Sequence, residues 1–158
     1  YSRARYAIHN AGSMLYQFVG DEVIGLFGLP HNSPGYTGRA IECARALIDV
    51  GDSVSSKWQR ELDREQGSRG VHIGIAVGAL NLMPPRPFSA NYIGFVGDSM
   101  NMTARLTSEA QPSEIVVSNS SYRRLDKGDA RLFEEMPSVE GKNVGRIKCW
   151  KLAPTAET

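Results

Sequence analysis

Residues 14–28 contain two short apolar segments joined by Gly20–Asp21. Residues 14–19 alternate with the period of two that is typical of a β-strand. Residues 23–27 form a continuous apolar run, as in a strand buried on both faces. Glycine accepts a positive φ and aspartate can hydrogen-bond its own backbone, so the pair suits a tight turn. The segment therefore predicts a β-hairpin with Asp21 at its tip.

Asp21 has two interpretations at this stage. A carboxylate held rigidly between apolar flanks is a good ligand for a hard cation such as Mg²⁺ or Mn²⁺. Aspartate is also common in tight turns for its backbone geometry alone, and for an isolated Gly–Asp pair this second interpretation is the commoner one. Motifs elsewhere in the sequence are needed to choose between a metal ligand and a turn residue.

Composition is that of an ordinary globular domain. The 158 residues are enough for one domain with a buried core, so we expect a single domain over residues 1–158. A formal net charge of +1 provides no overall field that would attract nucleic acid or an anionic membrane surface. No apolar run approaches the roughly 20 residues of a membrane span. Cys43 and Cys149 fit no metal or redox spacing, which indicates a reducing compartment.

Periodicity and turn residues predict the remaining elements. A helix that ends near Gly12 precedes the hairpin, and a long helix capped by Thr37, with Gly51 in its interior, follows it. Beyond it we expect, in order, a strand over 71–78, an irregular proline-rich arm over 79–91, a strand over 92–96, a helix over 100–110, a strand over 114–118, a short helix to 125, a loop over 126–145 and a strand over 146–152. A hairpin followed by long helices that pack on one side favours an α+β sandwich over a doubly wound parallel sheet.

Two later elements carry further signals. One face of the strand over 71–78 holds mostly small residues, including Gly74 and Gly78, and such a face lets a backbone, a helix or a ligand come close. Asn101 and Arg105 lie four residues apart in a predicted helix and so share a face. A solvated polar face is the ordinary explanation for such a pair.

The hairpin and residues 92–106 together resemble the catalytic domain of the class III adenylate/guanylate cyclases. The hairpin is similar to that family's F-x-G-D-x-x-x-x-x-F-G signature, and residues 97–106 are similar to its G-D-x-x-N-x-x-x-R-L signature. Residues 115–118 and 139–142 fit the family's closing motifs. The resemblance spans nearly the whole chain, and the two signatures occur in order at the expected separation.

The resemblance implies a ferredoxin-like α/β sandwich with an antiparallel-rich sheet, working as a head-to-tail homodimer whose active sites lie at the interface. It implies a purine nucleotide cyclase of intracellular signalling, which closes ATP or GTP into a 3′,5′-cyclic monophosphate and releases pyrophosphate. Two Mg²⁺ or Mn²⁺ ions per site belong to this chemistry. A fused regulatory or sensor domain and a cytoplasmic location are also implied, with membrane anchoring of the parent protein left open.

Individual residues take roles from the same resemblance. Asp21 stands in the place of one of two metal-binding aspartates, and Phe18 of the same motif stands at the nucleotide site. Asn101 corresponds to the asparagine that orients the ribose. Arg105 corresponds to the arginine that stabilises the charged transition state, a role suited to a guanidinium. Lys142 resembles a phosphate-binding lysine more weakly, because its loop is variable.

The sequence departs from the family pattern in three ways. The opening strand, with its F-x-D-I-x-G-F-T motif and the other metal aspartate, has no counterpart, so we expect this chain alone to be inactive. Gln17 stands where adenylate cyclases usually have lysine and guanylate cyclases glutamate, and Gly94 stands at the partner position. A glutamine amide both donates and accepts, so it can pair with either purine. Family frequency favours ATP, with GTP possible.

Two alternatives to this enzyme stay open. A non-catalytic cyclase-like module, used for dimerisation or nucleotide sensing, would explain the missing aspartate and the unusual pair of base-reading residues. A diguanylate cyclase has a hairpin of similar shape, but the tip over 19–23 lacks its paired glycine and its phenylalanine. The helix with Asn101 and Arg105 also has no place in that family.

Overall fold

The computed structural model describes residues 1–29, 34–62, 70–83, 94–141 and 145–152. In chain order, the elements of these ranges are α1 (Ser2–Asn10), β1 (Met14–Val19), β2 (Glu22–Leu26), α2 (Tyr36–Leu62), β3 (Ile73–Ile75), β4 (Asn81–Met83), β5 (Gly94–Val96), α3 (Asp98–Glu109), β6 (Ile115–Ser118), α4 (Asn119–Tyr122), α5 (Lys127–Ala130), β7 (Glu134–Gly141) and β8 (Gly145–Leu152). The result is the predicted α+β arrangement, with helices packed on a sheet that is mainly antiparallel.

The core lies on both faces of a four-stranded sheet with the order β3-β6-β8-β7. All four residues of β6 are buried, and its three apolar residues alternate between two clusters. On one face α3 contributes to the cluster of Leu106, Ala110, Val116, Val139, Ile147 and Cys149. On the other face α2 contributes to the cluster of Ile41, Ala44, Ile115, Val117 and Phe133. The expectation that the long helices pack on one side is therefore wrong for α2 and α3, because β6 is apolar on both faces.

The predicted hairpin is confirmed as the antiparallel pair of β1 and β2, in which Val19 pairs with Glu22. Of the two turn residues, only Gly20 has a positive φ, +60°, which is the pattern of a type II′ turn. The interpretation of residues 23–27 as buried on both faces is wrong, since Leu26 is the one buried residue of β2. Helix α1 covers the hairpin from one side, where Ile8 lies against Gly25.

The end of α1 agrees with the prediction, whereas the start of α2 does not. Helix α1 ends as predicted: Gly12 has a φ of +69° and donates to the carbonyl of His9, and Ser13 donates to the carbonyl of Ile8. This is the Schellman arrangement. Helix α2 begins at Tyr36, so Thr37 lies buried in the first turn and does not cap the helix.

Three glycines permit close packing, and two of them lie on the small face of the strand predicted over 71–78. A Cβ at Gly74 would lie 2.4 Å from the backbone nitrogen of Thr107 in α3, and one at Gly78 would lie 2.9 Å from Ser99 Cβ. A Cβ at Gly51 would lie 2.7 Å from Val71 Cγ1, which explains a glycine inside α2. Strand β3 itself is shorter than predicted and occupies residues 73–75.

Two segments predicted to be irregular contain regular structure. In the arm over 79–91, β4 pairs antiparallel with β5, and residues 84–93 lie outside the described ranges. The predicted loop over 126–145 is wrong, because it contains α5 and β7. Strand β7 lies at the sheet edge and its register shifts at Pro137, so it lacks the apolar alternation and proline-free run of a central strand. Within the described part of the chain, no helix is long and apolar enough to cross a membrane.

Candidate functional site

Helix α3 presents the two polar residues that the sequence singles out. It starts with Asp98, whose charge suits the positive end of the helix dipole, and it buries Leu106 completely against the sheet. Asn101 and Arg105 lie on its exposed side, one turn apart. The buried Leu106 and the close approach at Gly74 fix this helix on the sheet, so the two polar residues stand on a rigid support.

Arg105 is held by two partners through one edge of its guanidinium. Its Nε–H donates to the main-chain carbonyl of Glu140 at 3.0 Å, and its Nη2 lies 3.2 Å from Oε1 of Glu109. The first bond joins α3 to the end of β7, two residues before Lys142. Lys142 itself lies outside the described residues. Nε and Nη2 form one edge of the guanidinium, so these two contacts do not use the Nη1 end.

The strands that carry Gln17 and Gly94 come together. The Tyr16 hydroxyl accepts a hydrogen bond from the Phe95 backbone N–H at 3.2 Å. The rings of Tyr16 and Phe95 meet edge to face, with centroids 5.3 Å apart. Because Tyr16 and Phe95 are the chain neighbours of Gln17 and Gly94, the two residues that the resemblance pairs for base reading belong to adjoining segments.

The tip of the hairpin is fixed by the first residue of the chain. The Tyr1 hydroxyl donates to the carbonyl of Gly20 at 2.6 Å, and the Tyr1 ring meets Phe18 edge to face at 4.9 Å. Asp21 itself is exposed. The hairpin thus holds Phe18 in an aromatic contact and leaves the Asp21 carboxylate accessible from solvent.

A complete site for two metal ions is not formed by the residues that the structure describes. They contain no group of three or more His, Cys, Asp or Glu residues that could hold a metal ion. An exposed aspartate has the oxygen donors that Mg²⁺ prefers, so Asp21 fits as one ligand. It does not account for a two-ion centre by itself.

The two cysteines have the properties of packing residues. Burial raises the pKa of the Cys43 thiol from 9.0 to about 11. Burial also raises the pKa of Cys149, which outweighs the lowering effect of a backbone hydrogen bond at Val139. Because the thiolate is the nucleophile, neither cysteine is poised for covalent catalysis or metal binding near neutral pH.

Three residues that touch the site were not predicted from the sequence. Glu109 could have been found, because it lies four residues after Arg105 on the same helix face. Glu140 contributes a main-chain carbonyl, which any residue type could supply. Tyr16 meets a partner 79 residues away, and no local pattern points to that contact.

No protein-family model matches this sequence. The atrial natriuretic peptide receptor 2 proteins of Rattus norvegicus and Homo sapiens are 32% identical to it over 139 residues, a stretch that covers 85% of this chain. The match spans 12% of the length of either receptor. The chain is thus similar to one part of much longer proteins.

Solved structures of nucleotide cyclases share the fold. The adenylyl cyclase CyaB from P. aeruginosa has a TM-score of 0.75 at 16% identity, covering 99% of this chain and 79% of that one. The guanylate cyclase domain of RhGC from Catenaria anguillulae, solved with GTP, has a TM-score of 0.71 at 18% identity, covering 95% and 77%. An adenylate/guanylate cyclase/hydrolase from Silicibacter pomeroyi has a TM-score of 0.67 at 25% identity, covering 97% and 79%. The chain therefore has the fold of the class III adenylate/guanylate cyclase catalytic domains.

Proposed function

We propose that this chain is the catalytic domain of a purine nucleotide cyclase, which converts ATP or GTP into the 3′,5′-cyclic monophosphate and pyrophosphate. The observation that carries the proposal is the arrangement on α3. Asn101 and Arg105 are both exposed one turn apart, and Arg105 is tied to the strand end that leads to Lys142. Asn101 and Arg105 are the residues that the cyclase signature assigns to the ribose and to the transition-state charge, so their shared helix face supports the proposal.

The reaction is an intramolecular displacement within the nucleotide, so no protein group has to form a covalent bond with the substrate. The ribose 3′-oxygen attacks the α-phosphorus and loses its proton, a new P–O bond forms, and the bond from the α-phosphorus to the bridging oxygen breaks, so that pyrophosphate leaves. The Asn101 amide would hydrogen-bond the ribose and hold its 3′-oxygen in line. The Arg105 guanidinium would stabilise the charge that grows on the phosphate oxygens, through the Nη1 end that its two partners leave available.

Asp21 is proposed as a ligand of a divalent cation, Mg²⁺ or Mn²⁺. Cations of this kind neutralise phosphate charge and lower the pKa of a bound hydroxyl. The described residues contain no group of three or more candidate ligands, so a two-ion centre needs further ligands beside Asp21. We therefore assign no step of the reaction to a metal ion held by this chain alone.

The base preference is proposed from Gln17 and Gly94. Gln17 can meet either purine, since its amide has both a donor and an acceptor. Gly94 adds backbone groups and space. Solved relatives include an adenylyl cyclase and a guanylate cyclase domain bound to GTP, so both nucleotides are candidate substrates. ATP is favoured on the frequency of adenylate cyclases in the family.

A homodimer is proposed as the working assembly, with each active site built from two chains. The β4–β5 ribbon exposes the large apolar side chains Leu82, Met83 and Val96. Such side chains are more stable against a second protein surface than in water.

Because the natriuretic peptide receptors are far longer than this chain, we also propose that the parent protein carries a regulatory domain.

A second candidate is a non-catalytic module that binds a nucleotide or dimerises. Gln17 and Gly94 favour it, since they depart from the base-reading pairs that are usual in these cyclases. Product analysis separates the two candidates: the full-length protein is incubated with Mn²⁺ and either ATP or GTP, and cyclic nucleotide and pyrophosphate are measured. Formation of cyclic nucleotide and pyrophosphate in equal amounts supports the cyclase. A folded dimer that binds nucleotide and forms no product supports the module.

A further inference from the structure

Tyr16 occupies an irregular position in the hairpin. In the pairing of β1 with β2, Leu15 lies opposite Gly25 and Gln17 lies opposite Ile24, so Tyr16 is an extra residue on its strand. Such a bulge bends a strand locally and redirects a side chain, and bulges are frequent beside functional sites. Here the redirected side chain is the one that reaches β5.

The contact between Tyr16 and Phe95 has two parts that act together. The hydroxyl accepts the Phe95 backbone N–H, and the two rings pack edge to face. The hydrogen bond fixes the distance between the backbone of β5 and the end of the tyrosine side chain, while the rings restrain its direction. The pair thus ties the two-stranded sheet of β1 and β2 to the separate ribbon of β4 and β5.

We propose that Tyr16 is a specificity-determining positioning residue. It holds Gln17 and Gly94 at a fixed distance and orientation to each other, and so makes the site discriminate between adenine and guanine. The proposal rests on the proposed function, since it takes these two residues as the readers of the base. Tyr16 itself acts through its neighbours and need not touch the nucleotide.

The hydrogen-bonding edges of the two purines explain why the relative position of Gln17 and Gly94 matters. Adenine presents an amino group where guanine presents a carbonyl, and guanine adds an N–H beside it. A glutamine amide that is free to turn can satisfy either edge, because its oxygen accepts and its nitrogen donates. An amide held at one place by its strand satisfies one edge better than the other. Discrimination by Gln17 therefore depends on how firmly its strand is held against the strand of Gly94.

The test replaces the hydroxyl and keeps the ring. Tyr16→Phe removes the acceptor of the Phe95 N–H and retains the aromatic contact, so the fold is preserved. We expect the ratio of kcat/KM for ATP to that for GTP to move toward one by about fivefold, the scale of one lost hydrogen bond. The matched control is Tyr6→Phe, on an exposed tyrosine of α1, which should leave the ratio unchanged.

A second measurement detects the hydrogen bond between the Phe95 N–H and the Tyr16 hydroxyl and does not depend on enzyme activity. Hydrogen exchange of the Phe95 amide should be slow in the wild type and faster by about fivefold or more in Tyr16→Phe. The Leu82 amide, in the paired strand β4, serves as the internal reference and should not change. An unprotected Phe95 amide in the wild type would overturn the proposal.

The outcomes separate this proposal from the proposed function. An unchanged ATP/GTP ratio in Tyr16→Phe, in an active enzyme, overturns the role of Tyr16 and leaves the cyclase intact. If no product forms, the ratio is taken from the dissociation constants for ATP and GTP, so that a shifted ratio supports the role of Tyr16 although the cyclase fails. If neither nucleotide binds, both proposals fall.

Discussion

Arg105 donates its Nε–H to the main-chain carbonyl of Glu140 at 3.0 Å, which joins the exposed side of α3 to the last residues of β7. The same side chain pairs with Glu109 through Nη2 at 3.2 Å. These contacts set the position of the Arg105 cation beside the end of β7. The residue is about half-exposed, so its two contacts hold its direction more than they stabilise the fold.

Arg105→Ala should lower kcat by about 100-fold or more, because one preorganised contact to transition-state charge is removed. The free energy of unfolding should fall by less than about 1 kcal/mol, since exposed ion pairs contribute little. Steady-state kinetics and urea unfolding measure the two effects. Arg124→Ala is the control, because Arg124 is also exposed and bonded to a main-chain carbonyl, that of Ser120. Turnover at the wild-type level in Arg105→Ala would remove this residue from the site.

Asp21→Ala should abolish metal-dependent turnover in the full-length protein without unfolding it, because the side chain is exposed. If each site takes Asp21 from one chain and Arg105 from the other, mixing Asp21→Ala with Arg105→Ala restores activity. Half of the dimers are then mixed and one of their two sites is intact, so about a quarter of wild-type activity is expected. Activity that never rises on mixing would argue against a shared site.

Gly74→Ala should destabilise the fold. The new Cβ would lie 2.4 Å from Thr107 N and 2.5 Å from Thr103 O, so the backbone of α3 has to move. We expect a loss of about 1–3 kcal/mol in the free energy of unfolding, as for other overpacked positions. Gly38→Ala is the matched control, because Gly38 lies in α2 with no atom within 4 Å of its added Cβ. That change should be neutral or stabilise by up to about 1 kcal/mol.

Cys43 predicts a dependence of stability on alkaline pH. Burial raises the pKa of its thiol from 9.0 to about 11, so the folded state disfavours the thiolate. The stability that this group provides is complete below pH 9 and is lost as the pH rises through 11. Relative to Cys43→Ala, the wild type should lose about 1–3 kcal/mol between pH 8 and pH 11. Parallel pH profiles for the two proteins would contradict the burial of this thiol.

The sequence predicted those parts of the fold that local chemistry decides. Gly12 and Gly20 have positive φ values that a side chain resists, so the helix end and the hairpin turn could be located from residue type. The small residue Gly74 correctly indicated the close approach of a helix.

Edges and distant contacts could not be predicted in this way. Strand β7 was missed because an edge strand can carry Pro137 and exposed polar residues on both sides. The tie between Tyr16 and Phe95 and the bond from Arg105 to Glu140 join residues 79 and 35 positions apart, so they depend on how the elements pack. The identity of the candidate site residues came from motif resemblance, while their geometry came from the fold.

Cyclic nucleotide formation by the full-length protein is the decisive measurement for a cyclase. The protein is incubated with Mn²⁺ and either ATP or GTP, beside the Arg105→Ala variant, and product and pyrophosphate are quantified by mass spectrometry and a coupled assay. We predict one equivalent of pyrophosphate for each 3′,5′-cyclic nucleotide formed by the wild type, and about 100-fold less of both from the variant. A folded wild-type dimer that binds nucleotide and forms no cyclic product would contradict this prediction.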